Sequence, residues 1–220
     1  MGAAAVAAVT AVAVPTVMAR ARVEEPAYEV TARHEGFEVR RYDGRIVAEV
    51  DVSGAPGDAS REGFRILADF IFGNNSRSAS VAMTAPVDRT ASERIAMTAP
   101  VDRRVAADAD ADATDPEGEW TIAFTMPSKY TMRTLPRPND DRIRIREIPP
   151  TSYAVSRFRG APSEPGVQRR MAELVEAVRA AGLSPKAGAE PTYARYDPPW
   201  TPGFLRRNEI FVELDVVPAS

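Results

Sequence analysis

His34 is the only histidine of the chain, and no cysteine accompanies it. Without thiolates there can be no disulfide, no zinc–thiolate centre and no thiolate ligand for iron, and one imidazole cannot build a histidine-rich metal site. A Ser-His-Asp triad would hang entirely on His34, which lies in the turn sequence His34-Glu35-Gly36, where an exposed imidazole is the ordinary outcome. No glycine-rich phosphate loop and no catalytic signature is present. Met83, Met97 and Met126 could ligate iron or pad a flat ligand, although methionines at such apolar positions commonly belong to a core. Glu209, within Arg207-Asn208-Glu209-Ile210, is the candidate for a general base, with a structural pairing to Arg206 or Arg207 as the alternative.

The chain is long enough, at 220 residues, for one sizeable domain with tails. Twenty-eight basic against 31 acidic side chains leave a net charge of -3, which gives no reason to expect nucleic acid as a partner. Residues 1–22 differ in composition from the rest: Gly2 to Val14 is almost wholly Ala and Val. That leader reads as a secretory signal without a basic start, as a membrane anchor that is short and Ala-rich, or as a disordered extension. Export or membrane association would act through it, and the protein is otherwise expected to be cytoplasmic and monomeric.

Behind the candidate residues lies a pattern of strands and two helices. Tyr28 to Thr31, then Phe37, Val39 and Arg41, then Ile46, Ala48, Val50 and Val52 alternate as strands with one buried and one wet face. Gly54-Ala55-Pro56 breaks the last, and a helix capped by Asp58 or Ser60 carries Phe64, Leu67, Ala68 and Ile71 at helical spacing before Gly73. The order strand, Gly-Ala-Pro, helix recurs 106 residues later: Ser152 to Phe158, Gly160-Ala161-Pro162, a cap at Ser163, and the stripe Met171, Leu174, Val175, Val178. Residues 23–217 are therefore expected to form one α+β domain of two related halves. Its form would be a pseudo-twofold, mostly antiparallel twisted sheet or open β-barrel flanked by two helices. A mobile acidic loop, 104–118, is expected between the halves. Arg142-Ile143-Arg144-Ile145-Arg146 alternates as a strand with its arginines on one solvated face.

The octapeptide Ala-Met-Thr-Ala-Pro-Val-Asp-Arg occurs twice, at 82–89 and 96–103. Each copy reads as a strand closed by its proline, the two pairing as a hairpin or one forming a flap over the other.

The second copy, together with Phe70-Ile71-Phe72-Gly73, resembles the signature of the SOUL haem-binding protein family. Tyr28-Glu29-Val30, Phe37 to Tyr42, Phe124 to Ser128, Leu135 to Pro138, Tyr196 to Pro199 and Arg206 to Ile210 agree in order, so the resemblance spans about Tyr28 to Leu214. It implies the same two-helix barrel and a haem or porphyrin ligand, bound without a covalent link. In some members a histidine proposed as iron ligand stands where this chain has Arg41, and a guanidinium cannot ligate iron. Other members are thought to hold tetrapyrroles in an apolar cleft beside the first helix, with basic groups near the propionates. The matching positions here are Arg61, Phe64 and Ala68, with Asp69 where a lysine can stand and Arg65 one turn away as a substitute. The expected activity is non-enzymatic tetrapyrrole binding without a histidine ligand. Alternatives are a small hydrolase or effector-binding module for an amphipathic ligand, and a protein-interaction module.

Overall fold

A computed structural model describes residues 23–76, 92–106 and 118–215. The elements run β1 (Tyr28–His34), β2 (Phe37–Tyr42), β3 (Arg45–Ser53), α1 (Pro56–Phe72), β4 (Asn75–Ser76), β5 (Val101–Val105), β6 (Glu119–Thr125), β7 (Arg137–Pro138), β8 (Arg144–Ile148), β9 (Thr151–Arg159), α2 (Glu164–Ala180), β10 (Thr192–Arg195) and β11 (Arg207–Glu213). Nine strands form one antiparallel, curled half-barrel in the order β1-β2-β9-β11-β10-β5-β6-β3-β8, while β4 and β7 pair separately.

The strand order carries the pseudo-twofold. The neighbours β3, β6 and β5 mirror β9, β11 and β10 about the β5–β10 pair. β2 precedes β3 in the chain yet pairs with β9, and β8 precedes β9 yet pairs with β3. Each half thus lends a strand to the other, which curls the sheet. Gly54 and Gly160 open the two helical connections with φ of 123° and 126°, a region that a side chain would strain. Each helix that follows has 17 residues.

α1 begins earlier than its expected caps. Ala55 is the N-cap and makes no side-chain cap bond; Pro56 takes the first turn, where its missing N–H costs nothing. Ser60 instead donates its hydroxyl to the Pro56 carbonyl at 2.7 Å. The buried face is also rotated from the expected stripe: Ala59, Gly63, Ile66, Leu67, Phe70 and Ile71 point inward, and Phe64 is 36 % exposed. Gly63 sets this rotation, since a Cβ there would stand 2.4 Å from Ile122 Cγ1, so only glycine lets the helix settle on β6. Around it Ile46, Ala48, Val50, Ile122 and Phe124 complete one core cluster. α2 closes a second cluster with Val167, Met171, Leu174 and Val178 against Phe37, Val39, Ile210 and Val212.

Two further expectations change. β3 keeps a wet face only towards its end, at Asp51: Val47 and Glu49 are buried opposite Ile46 and Ala48, because the curl encloses the concave side. The second octapeptide is a strand after its proline and not before it. Ile95 N donates to Ile71 O at 2.8 Å and Ala99 N to Glu24 O at 2.9 Å, which ties the run to the end of α1 and to the N-terminal segment; pairing in the main sheet begins at Val101. Flanking residues distinguish this copy, since Ile95 is 1 % exposed and Arg104 pairs with Glu49 at 2.9 Å. The first copy, the leader 1–22 and most of the acidic segment lie outside the described residues; Arg104 and Val105, placed in that segment by the sequence reading, belong to β5.

Candidate functional site: a furrow between the helices

α1 packs on β3 and β6, α2 on β9 and β11, and β5 and β10 lie between them in the sheet. These two central strands floor a furrow. One register row crosses its helix-bearing side as Phe124, Val101, Arg195, Asn208 and Phe158. The next row places Arg103 in the floor, where it donates to the Pro56 carbonyl of α1 at 3.0 Å and to Glu164 of α2 at 2.6 Å, drawing the two helix starts together. Arg195 has no such tie. Its side chain forms no hydrogen bond or ion pair among the described residues and stands over the Tyr193 ring at 6.0 Å.

Phe64 lies on the furrow flank of α1, its ring tilted onto Phe124 with centroids 5.4 Å apart. Ala68, one turn on, is buried, and Arg61 and Arg65 lie on the outer surface of the same helix. The two arginines are turned onto their own helix: Arg61 pairs with Asp58, and Arg65 with Glu62 at 2.6 Å. Such exposed i,i+3 pairs are screened by water and hold their partners weakly, so a better anion can take either guanidinium. None of these four residues lines the cavities at the concave face, at the Glu24–Pro127 corner or beside α2 among the described residues. Beyond Arg195 the chain rises into the β10–β11 loop, where Trp200 (82 %), Phe204 (75 %) and Leu205 (47 %) are exposed. Arg195 and this aromatic loop were not singled out from sequence; the available signal was a lone arginine in the short strand directly before Tyr196-Asp197-Pro198-Pro199.

The other candidates lie elsewhere. His34 ends β1, is exposed and stacks on Phe37 at 4.6 Å. β1 is the sheet edge, four strand spacings, or roughly 19 Å, from β10. Arg41 is an exposed residue of β2. Met126 is packed in the α1 core, Met97 is 36 % exposed, and Met83 lies outside the described residues. No cluster of three or more His, Cys, Asp or Glu suited to a metal ion occurs among the described residues.

The concave side carries a second polar system. Glu209, fully buried, accepts from Tyr196 at 2.6 Å, from Arg40 at 3.1 Å and from Arg207 at 3.0 Å. Burial and the neighbouring carboxylate push the Tyr196 hydroxyl upward. Both Glu209 oxygens are thus committed, which supports the structural pairing over the general base.

The model of the SOUL heme-binding protein family matches residues 23–213. The chain belongs to that family. Its helix-flanked half-barrel is therefore the SOUL fold, and the sequence resemblance extends across the described domain. Heme-binding protein 1 of Xenopus laevis is 29 % identical over 179 residues, covering 80 % of this chain and 82 % of that protein, and its Xenopus tropicalis counterpart is 27 % identical over the same length. Among solved structures, the C-terminal domain of EcmrR has a TM-score of 0.56 at 12 % identity, covering 86 % of this chain and 99 % of that one. A hydrolase from Listeria innocua has a TM-score of 0.52 at 12 % identity, covering 84 % and 94 %. At that identity these two share the SOUL chain's fold alone.

Proposed function

We propose that this SOUL-family protein binds haem or a related tetrapyrrole non-covalently in the furrow between α1 and α2, as a binding protein and not as an enzyme. One observation carries the reading: Arg195, a guanidinium without an ion-pair partner among the described residues, stands in the furrow floor in the same register row as Phe124, with Val101 between them, facing the aromatic wall of Phe64 and Phe124. A flat apolar ring with anionic side groups needs that combination, an apolar surface for affinity and a free cation for orientation. Arg61 and Arg65 can leave their weak pairs for the second propionate, and Trp200 and Phe204 offer apolar surface for the outer face of the ring. The naming of the Xenopus relatives for heme supports the ligand class.

Iron ligation by histidine is not part of the proposal, since His34 stacks on Phe37 at the far edge of the sheet. Hydrolysis with Glu209 as base fits poorly, because three donors already occupy its oxygens. Hemin titration of the Arg195→Glu protein tests the reading. Affinity should fall about tenfold or more through loss of a charge-assisted contact, and unchanged affinity would remove the furrow as the site.

A further inference from the structure

Three carboxylates stand in one row across the concave face, and the middle one is unlike its neighbours. The register runs Glu209, Ala194, Asp102, Ala123, Glu49 from β11 to β3. Glu209 holds Arg40 and Arg207, and Glu49 holds Arg104 and Arg146 at 2.9 and 3.0 Å. Asp102 is flanked on both sides by alanines, so no neighbouring strand delivers a partner; its Oδ1 is buried without a hydrogen bond. The missing side-chain volume opens as a cavity of about 390 Å³.

The same cavity holds a second orphan of opposite kind. Arg45 donates one guanidinium nitrogen to the Tyr153 hydroxyl at 3.2 Å, while Nη1 is buried without a partner. Beside it Tyr42, Tyr153 and Phe211 form a triangle of rings with centroids 5.7–5.8 Å apart. Of the other charges around the cavity, Arg104 and Arg146 are matched by Glu49 and Lys186 by Glu213 at 2.6 Å, while Glu147 and Glu190 are exposed to solvent. What is left over is the Asp102 acceptor, the Arg45 donor, the Thr125 hydroxyl, whose Oγ1 is likewise buried without a partner, and an aromatic wall. A cation would satisfy only Asp102 and an anion only Arg45, each leaving the other buried and unpaired. A neutral planar amide satisfies both.

We propose that this cavity is a second binding site, separate from the furrow, for a small aromatic carboxamide. Its N–H donates to Asp102 Oδ1, its carbonyl accepts from Arg45 Nη1, and its ring lies against Tyr42, Tyr153 and Phe211.

Benzamide is the probe, added to the full-length protein and followed by amide chemical shifts. Saturable shifts are expected at Arg45, Asp102, Tyr153 and Phe211, and saturating hemin should not displace the probe. N,N-dimethylbenzamide, which lacks the N–H, should fail to saturate the same shifts. Asp102→Ala should weaken benzamide at least tenfold; that variant removes an unpaired buried group, and the dimethyl comparison needs no variant at all. Absence of saturable benzamide binding overturns the proposal, as does equal binding of the dimethyl analogue. Benzamidinium binding in place of benzamide would make this a cation site and also overturn it. Displacement by hemin would assign the cavity to the tetrapyrrole.

Discussion

The Arg40 guanidinium reaches the Glu209 carboxylate across 3.1 Å although β9 lies between their strands, β2 and β11. Curl of the sheet makes this possible, and the pair in turn helps to hold the curl. Glu209→Ala should therefore destabilise the protein by about 1.5–3 kcal/mol, because buried Arg40 and half-buried Arg207 lose their shared carboxylate and keep only Glu38 and Glu25. Urea unfolding measures it; a loss below about 1 kcal/mol would show that the network contributes little.

Asp102 gives a stability that depends on pH in the opposite sense to most carboxylates. Burial pushes it up to about 6, outweighing Arg45 and Arg104, which lower it. A carboxyl whose folded value lies above its unfolded one contributes stability that is fully present below about 4 and is lost as pH rises through about 6. Asp102→Asn should accordingly stabilise the protein at pH 7, by up to about 3 kcal/mol, and the gain should shrink towards zero near pH 4. Melts at the two pH values decide it, and a gain independent of pH would contradict the assignment.

Gly63 is a packing requirement with a sign that can be reversed. Gly63→Ala should cost about 1–3 kcal/mol, since the new methyl meets Ile122 at 2.4 Å. With Ile122→Ala already in place the same change should be neutral or stabilising, as helix propensity then dominates. An equal cost in both backgrounds would mean that the contact is not the cause.

In the segment before the repeated proline, Ile95 and not Met97 is the buried residue. Ile95→Asp should abolish or severely weaken folding through an unpaired buried charge, while Met97→Asp should change stability by less than about 0.5 kcal/mol. Severe loss from Met97→Asp would restore the reading in which that run is a core strand.

These cases show what local pattern carries and what it does not. Alternation located β1 to β3, β8 and β9, and the two Gly-Ala-Pro breaks located both helices, because each signal depends on a few adjacent residues. Phe64 was misplaced because the face of α1 is set by a glycine meeting Ile122, a residue 59 positions away in the sequence. Glu49 was placed in water because alternation cannot say that a sheet curls until its second face is enclosed. The furrow floor at Arg195 and the orphaned Asp102 depend on β10 pairing with β5, and nothing local in Thr192 to Arg195 announces that partner.

The residues chosen from sequence on α1 have their own test. Arg61→Glu with Arg65→Glu reverses two exposed charges and should leave folding unchanged, whereas hemin affinity should fall several-fold through loss of the contact to the propionates. Unchanged affinity would leave Arg195 as the orienting cation.

The most direct measurement is absorbance titration of the full-length protein and its His34→Ala variant with hemin and with iron-free protoporphyrin. The furrow account predicts similar affinity for both pigments, a high-spin or water-ligated iron spectrum, and no change on removing the imidazole. A six-coordinate low-spin spectrum that vanishes in His34→Ala, or failure of either pigment to bind, would contradict it.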